Sequence, residues 1–412
     1  MEEKPQGQQA VSEGRGVSRR TFMKYVGVGA VVAAGVGVGA YAYLNRPSGV
    51  SAAPLQWWGI GTGNPERWDG LNDAGGDVVF TEAPWDPVPV LNKMKADGRN
   101  AYDVISNAGT LDDPLFADGS IVDFDPETLP SWSKIYPELR TNNPTITVAS
   151  TGQIVGVPIV QNGDSVAMLV DELWPGTGQP GQGSDTYGLL FDSLTTGKSS
   201  MEQSWACAIY KVANYLGRNH LQTIEDPASL TTNDLNTIKT FMLNQKAAGQ
   251  FKVFWEGWNT AVSLLANKEV LAMDTWEPVV FALRTQNPPI NAVYMAPKEG
   301  YYLWNIPIYM TPKGQSQTKD RCMHLSQWTL EGWYGARITT IRGYLTATPD
   351  AIQYAQDNPD AGGTSGGPYD AAFIQSRHTL VKQKFSDGVS VYGNQAPPNI
   401  QEYQDTWTQV TS

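Results

Sequence analysis

The chain has 412 residues, 41% of them apolar and 14 of them Trp, enough for sizeable cores and two to three units of ordinary domain size, which excludes an intrinsically disordered protein. Its net charge is −12 and Lys and Arg form no cluster beyond Arg46, which excludes nucleic acid as a partner on electrostatic grounds. Only two cysteines occur, so no disulfide framework organises the fold: Cys207, in an apolar stretch over 205–209, reads as a small packed hydrophobe, with a bridge to Cys322 as the alternative.

At the N-terminus, Ser18-Arg19-Arg20-Thr21-Phe22-Met23-Lys24 precedes an uncharged run over 25–44. Paired Arg, a hydrophobic residue two positions on, Lys and a Gly/Ala-rich apolar stretch make the layout of a twin-arginine signal, which predicts the Tat export machinery as a partner. Ala40-Tyr41-Ala42 offers a small-x-small site for cleavage after Ala42, so 1–42 reads as a signal peptide. A run of about 20 apolar residues also matches a membrane anchor, which keeps that alternative open. No lipobox-type Cys ends the run, so lipid anchoring is not expected. Residues 43–54, with Arg46-Pro47-Ser48-Gly49 and Pro54, read as a linker.

Beyond the linker, short apolar runs alternate with helical spacing. Strands are predicted over 55–59 and 77–81, a helix over 89–98 carrying Val90, Leu91 and Met94, and a strand over 102–106. Further strands follow over 154–159, 270–273 and 292–295. Helices are predicted over 200–216, 232–249, 261–267 and 319–332, the last with Cys322, Leu325, Trp328 and Thr329 on one side. The alternation predicts an α/β fold with a largely parallel sheet and sites at strand C-terminal ends. Residues 357–368 read as a loop from their Asn, Pro, Asp and Gly content.

Three stretches carry a more specific signal. The first runs over 93–125 and holds Asp97-Gly98, Tyr102-Asp103-Val104-Ile105-Ser106 and Leu115-Phe116-Ala117-Asp118-Gly119-Ser120-Ile121-Val122-Asp123-Phe124-Asp125; the second is Gly156-Val157-Pro158-Ile159-Val160. The third runs over 267–348. It holds Lys268-Glu269-Val270-Leu271-Ala272-Met273, Trp276, Ala296-Pro297-Lys298-Glu299-Gly300, Trp304 and Gly343-Tyr344-Leu345-Thr346. In this order and spacing they resemble the polyamine (spermidine/putrescine) branch of the extracellular solute-binding proteins of ABC transporters. The resemblance implies a type II periplasmic-binding-protein-like α/β fold, two lobes joined by crossover strands with the ligand cleft between them. Lobe 1 would take 55–159 and 300–343, and lobe 2 would take 160–299 and 344–412. It further implies a monomeric, non-enzymatic receptor, periplasmic or extracellular, with a small-molecule ligand, a membrane permease and an ATPase as partners, and neither cofactor nor metal.

By the same resemblance Trp58, Trp276, Trp304 and Tyr344 fall at cleft positions, with Ser106 and Asn107 as polar contacts. Aromatic faces suit aliphatic C–H surface and cationic nitrogen. A buried ammonium also needs a carboxylate, and here the chain departs from the branch. Asn305 follows the Trp where the branch carries an Asp, and 200–209 offers Glu202 alone; Asn hydrogen-bonds but does not neutralise charge. Glu277 and Glu82 remain as carboxylate sources, each reading equally as a solvated surface residue. The expected ligand is a polyamine-like or other polar organic solute, with a sugar or iron as alternatives.

Two motifs point elsewhere. Gly363-Thr364-Ser365-Gly366-Gly367-Pro368 resembles the nucleophile loop of chymotrypsin-like serine proteases, but Ser365 would need a His and an Asp, and none of His220, His324 and His378 has the sequence context of that fold. Gly59-Ile60-Gly61-Thr62-Gly63 lacks the Gly-Lys-Ser/Thr of a phosphate-binding loop and reads as a mobile loop at the cleft mouth.

Overall fold

A computed structural model describes residues 53–69, 71, 78–123, 125–362 and 368–412. The export signal, its cleavage site and the Ser365 loop therefore lie outside the described residues.

The described strands are β1 (Leu55–Gly59), β2 (Val78–Glu82), β3 (Val104–Ser106), β4 (Gly156–Leu169), β5 (Ser199–Glu202), β6 (Phe251–Trp255), β7 (Ala272–Thr275), β8 (Ala292–Tyr294), β9 (Tyr302–Met310), β10 (Leu345–Thr346) and β11 (Val391–Tyr392). They pair in the order β2-β1-β3-β9-β4-β7-β5-β6, with β8 and β10 also on β4 and β11 on β9. β1 lies parallel between β2 and β3, and β5 parallel between β6 and β7. The described pairings of β4 are antiparallel, so the sheet is mixed rather than largely parallel.

β4 organises the rest. Its first part, from Gly156 to Asp164, pairs with β9; its second, from Ser165 to Leu169, pairs with β7 and β8. All 14 of its residues are buried. The sequence pattern ends this strand at 159, because Gln161, Asn162, Gly163 and Asp164 interrupt the apolar run that marks a doubly buried strand. The backbone passes through them regardless. Such conflicts between local pattern and global fold concentrate at functional sites.

The start of the helix expected over 200–216 is corrected in the same region. Residues 199–202 form β5, held by Ser199 Oγ donating to the Gln250 carbonyl at 3.1 Å and Ser200 Oγ to the Val253 carbonyl at 2.5 Å. Short hydroxyl side chains that bond backbone carbonyls compete with helix formation. The helix begins at Trp205 and runs to Arg218, burying Ile209, Val212, Ala213 and Leu216. Glu202 is thereby moved to the C-terminal end of a parallel strand. The helix expected over 319–332 ends at Thr329, and a separate helix, Gly332–Arg342, follows.

Apolar clusters flank the sheet. One joins Trp58, Val90, Met94, Ile105 and Tyr309; another joins Trp255, Leu265, Met273, Val279 and Leu283. Each such side chain contributes about 1.5–3 kcal/mol on burial. Cys207 and Cys322 are free, so the bridge between them is not formed. No described helix is long and apolar enough to cross a membrane.

Candidate functional site

A cavity of about 1040 Å³ is lined by Asp164 of β4, Glu202 at the end of β5, Trp276 just after β7, Trp304 of β9 and Tyr344 just before β10. Local sequence sets each position. Trp276 occupies the N-cap of the helix Glu277–Arg284, whose second residue is Pro278, a position that needs no N–H donor. Gly343 ends the helix Gly332–Arg342 at φ +71°, a left-handed conformation that glycine adopts without steric cost, and so turns the chain into Tyr344. Trp304 and Tyr344 meet edge to face at 4.9 Å, Trp85 meets Trp304 at 6.4 Å, and Trp276 packs on Trp255 at 5.0 Å.

Two acidic residues line the same cavity. Asp164 Oδ1 and Glu202 Oε2 are buried with no hydrogen-bond partner. Burial pushes Asp164 up to about 6, against the Lys211 ammonium and the Trp304 indole, which hold it down. Burial pushes Glu202 up to about 8, opposed by Lys211 and reinforced by Asp274 and Asp164. Lys211 itself is fully buried and ion-paired with Asp274. Lys211 acts on all three neighbouring acids and Lys384 acts on Asp164 as well, yet burial still holds Asp164 and Glu202 above the usual carboxylate range.

Of the residues expected at the site, Trp276, Trp304 and Tyr344 line the cavity together. Trp58, Ser106, Asn107, Glu277, Asn305 and Glu82 stand outside its lining. Trp58 faces the opposite side of β1 from Trp57 and stacks on Tyr102 at 5.2 Å within an apolar cluster. Ser106 Oγ accepts from the Trp57 indole N–H at 2.7 Å, and Asn107 Oδ1 accepts from the Ala108 backbone N–H. Asn305 pairs across the ladder with Gln161; both side chains are fully buried and without hydrogen-bond partners. Glu277 is held by Arg377 and Lys384: burial alone would raise its carboxyl, but these two cations bring it down to about 2. Glu82 is exposed at the end of β2. The Gly59 to Gly63 loop borders the cavity through Thr62 and is anchored rather than free, its Gly63 carbonyl accepting from Tyr334 Oη at 2.8 Å.

Sequence reasoning missed Asp164, Trp85 and Trp258. Asp164 follows the recognised Gly156 to Val160 stretch, and a charged residue embedded in Ile159 to Leu169 was its available signal. Trp85 and Trp258 line the cavity while 44% and 43% exposed, an apolar exposure that no sequence pattern discloses.

Residues 72–362 match the family model of bacterial extracellular solute-binding proteins. No curated relative matches the sequence. Among solved structures, the spermidine/putrescine ABC transporter substrate-binding protein PotD from Streptococcus pneumoniae aligns with a TM-score of 0.65 at 13% identity, over 87% of this chain and 98% of that one. A structure described as the Atu4243–GABA receptor aligns at 0.60 with 16% identity, over 87% and 98%. The binding protein MotA from A. tumefaciens B6, in complex with glucopine, aligns at 0.52 with 13% identity, over 82% and 100%. At these identities the likeness establishes a common fold, that of the type II periplasmic binding proteins.

Proposed function

The chain belongs to the bacterial extracellular solute-binding proteins, and from that premise we propose that it is the receptor of an ABC importer, capturing a small organic amine between aromatic walls and delivering it to a membrane permease without turnover. The observation that carries the amine is the pair Asp164 and Glu202, each with a buried carboxylate oxygen lacking a partner, inside a cavity walled by Trp276, Trp304 and Tyr344. An ammonium there gains a carboxylate counter-charge and a cation–π contact at once, whereas a neutral sugar stacks on the rings and donates hydroxyls to the acids but brings no charge to compensate them. The solved PotD relative is a spermidine/putrescine binder by description, which is consistent with this choice. The lobes expected from the sequence, 55–159 with 300–343 and 160–299 with 344–412, are part of the proposal, and hinge closure on the ligand would follow from them.

A panel of putrescine, spermidine, maltose and ferric citrate, read by thermal shift and calorimetry, tests the reading. Ligand that binds the folded state alone raises the melting temperature by mass action. The amines should do so and the others should not; a response to maltose alone would overturn the assignment. The response should also depend on pH. Unfolded carboxyls ionise near about pH 4, whereas folded Asp164 and Glu202 do so at about 6 and about 8. Between those limits the ligand-free fold binds more protons than the unfolded chain, so its stability falls as pH rises. Amine affinity should move the opposite way, rising from pH 5.5 to 8.5 as both carboxylates ionise. Flat affinity over that range would remove these two residues from the site.

A second reading is favoured by Arg342, which lines the cavity and whose Nε is buried without a partner. A ligand carrying a carboxylate as well as an amine would meet it. GABA, added to the same panel, separates the two: tighter binding of GABA than of putrescine would make the amino acid the ligand.

Family membership places the receptor in the periplasmic or extracellular space, and we assign its export to the twin-arginine route. Replacing Arg19 and Arg20 together by Lys should leave the protein inside the cell, because the route reads guanidinium pairs and not charge alone. Cell fractionation with an immunoblot reads the outcome, and normal export of the double variant would refute the route.

A further inference from the structure

We propose that Glu277, Arg377 and Lys384 form a positioning knot that fixes three separate segments of the cavity wall relative to one another. The helix Ala371–Phe385 turns Ile374, Arg377, His378, Val381 and Lys384 inward. Arg377 donates to Glu277 through both Nη atoms, at 2.7 and 2.5 Å, and through Nε to the Gly343 carbonyl at 3.0 Å. Lys384 Nζ donates to Glu277 Oε2 at 2.6 Å, to Asn162 Oδ1 at 2.7 Å and to the Gly163 carbonyl at 3.1 Å. Asn162 Nδ2 closes the ring by donating to Glu277 Oε2 at 3.4 Å.

Each end point is the sequence neighbour of a lining side chain. Glu277 follows Trp276, Gly343 precedes Tyr344 and Gly163 precedes Asp164. The knot therefore spans the stacking tryptophan, the second aromatic wall and one of the two unpaired acids. Two cations on one carboxylate are costly to bury, and their surplus charge is met by rings: Arg377 lies over Phe281 at 5.0 Å, Lys384 over Tyr301 at 4.9 Å and over Tyr294 at 5.3 Å. Phe281 itself lines the cavity. Apolar residues of similar volume generally stabilise a core as well as a buried ion pair does, or better. Charge kept at the junction of three wall segments is accounted for by directional bonds that apolar packing does not supply. Arg377 and Lys384 touch no ligand surface in this scheme; they are positioning residues, and their effect on the ligand rests on the cavity being the binding site.

Hydrogen exchange of the ligand-free protein, followed by mass spectrometry, tests the knot independently of any ligand. Lys384→Met leaves Arg377 paired with Glu277, and Arg377→Gln leaves Lys384 paired with it, so either variant retains a neutral pair and, should one fail to fold, the other decides. Lys384→Met should accelerate exchange at least tenfold in peptides covering 162–164 and 276–279. Arg377→Gln should do so in those covering 276–279 and 343–345. Peptides of β1 and of the helix Ile400–Thr411 should be unchanged. Uniform acceleration along the chain, or none at these segments, overturns the proposal. A second arm measures putrescine affinity at a temperature where both variants are folded, with a tenfold loss expected for each. A lower melting temperature with unchanged affinity overturns the positioning role. Should wild-type protein not bind putrescine, the amine assignment fails while the exchange pattern still decides the knot.

Discussion

Asp164→Asn should weaken putrescine binding by about 2–5 kcal/mol, roughly 30-fold to several thousand-fold, and at the same time raise the melting temperature of the ligand-free protein at pH 8. The two effects have opposite signs because the same charge is a cost before the ligand arrives and a partner afterwards. Asp164 is 1% exposed, one of its oxygens has no hydrogen bond, and its carboxyl is raised to about 6 by burial despite Lys211 nearby. A group whose folded value is raised favours its protonated form in the fold, so at pH 8 ionisation opposes folding, and the neutral amide removes that opposition. Glu202→Gln should behave alike, with the larger gain in melting temperature, since burial carries Glu202 to about 8. For the ligand the balance reverses, because truncating one partner of a buried charge pair leaves the other uncompensated. A variant that melts higher and binds as tightly as wild type would show that these acids belong to the fold alone. Loss of both stability and binding would show that Lys211 depends on Asp164 as well as on Asp274, with which it is ion-paired.

How far the sequence reaches follows from these residues. The walls were legible: Trp276, Trp304 and Tyr344 each occupy a position marked by a neighbouring motif, and motifs survive where overall identity to solved relatives is near 13%. The acids were legible only in part. The local pattern places Glu202 inside a helix, because Ser199-Ser200 does not disclose that its hydroxyls serve the Gln250 and Val253 carbonyls. Asp164 is hidden because an apolar-run pattern ends where polarity interrupts it, and β4 is a strand whose middle is polar and still buried. The sequence leaves Glu277 open between a ligand carboxylate and a solvated surface residue. Its two cations arrive from 100 and 107 residues further along the chain, and no periodicity reports contacts at that separation. Trp58 illustrates strand alternation: adjacent to Trp57, it faces the other side of the sheet, and which side carries the cavity is a tertiary fact.

Trp276→Ala and Trp304→Ala should separate stacking from packing, because the two residues differ in exposure. Trp276 is half-buried beside the cavity, with one edge-to-face contact to Trp255, whereas Trp304 is 4% exposed and wedged between Trp85 and Tyr344. Truncating Trp276 should therefore cost about 1–3 kcal/mol of binding, the range of a buried aromatic anchor, with little change in melting. Truncating Trp304 should cost a similar amount of binding and, in addition, about 3–5 kcal/mol of stability from lost burial and the space left behind. It should also perturb Asp164, whose carboxyl the indole helps to hold down, so amine affinity in Trp304→Ala should need a higher pH to recover than in Trp276→Ala. Trp304→Phe keeps a ring for stacking but lacks the indole N–H, and it should retain most of the stability while showing the same displacement toward higher pH. Calorimetric titration with putrescine at pH 6.5 and 8.5, beside melting curves of the free proteins, reads every term. If Trp304→Phe binds like wild type at both pH values, the indole N–H plays no part in tuning the acid, and Trp304 acts through its face alone. If Trp276→Ala melts far below wild type while its affinity is unchanged, Trp276 is core, and the ligand lies elsewhere along the cavity.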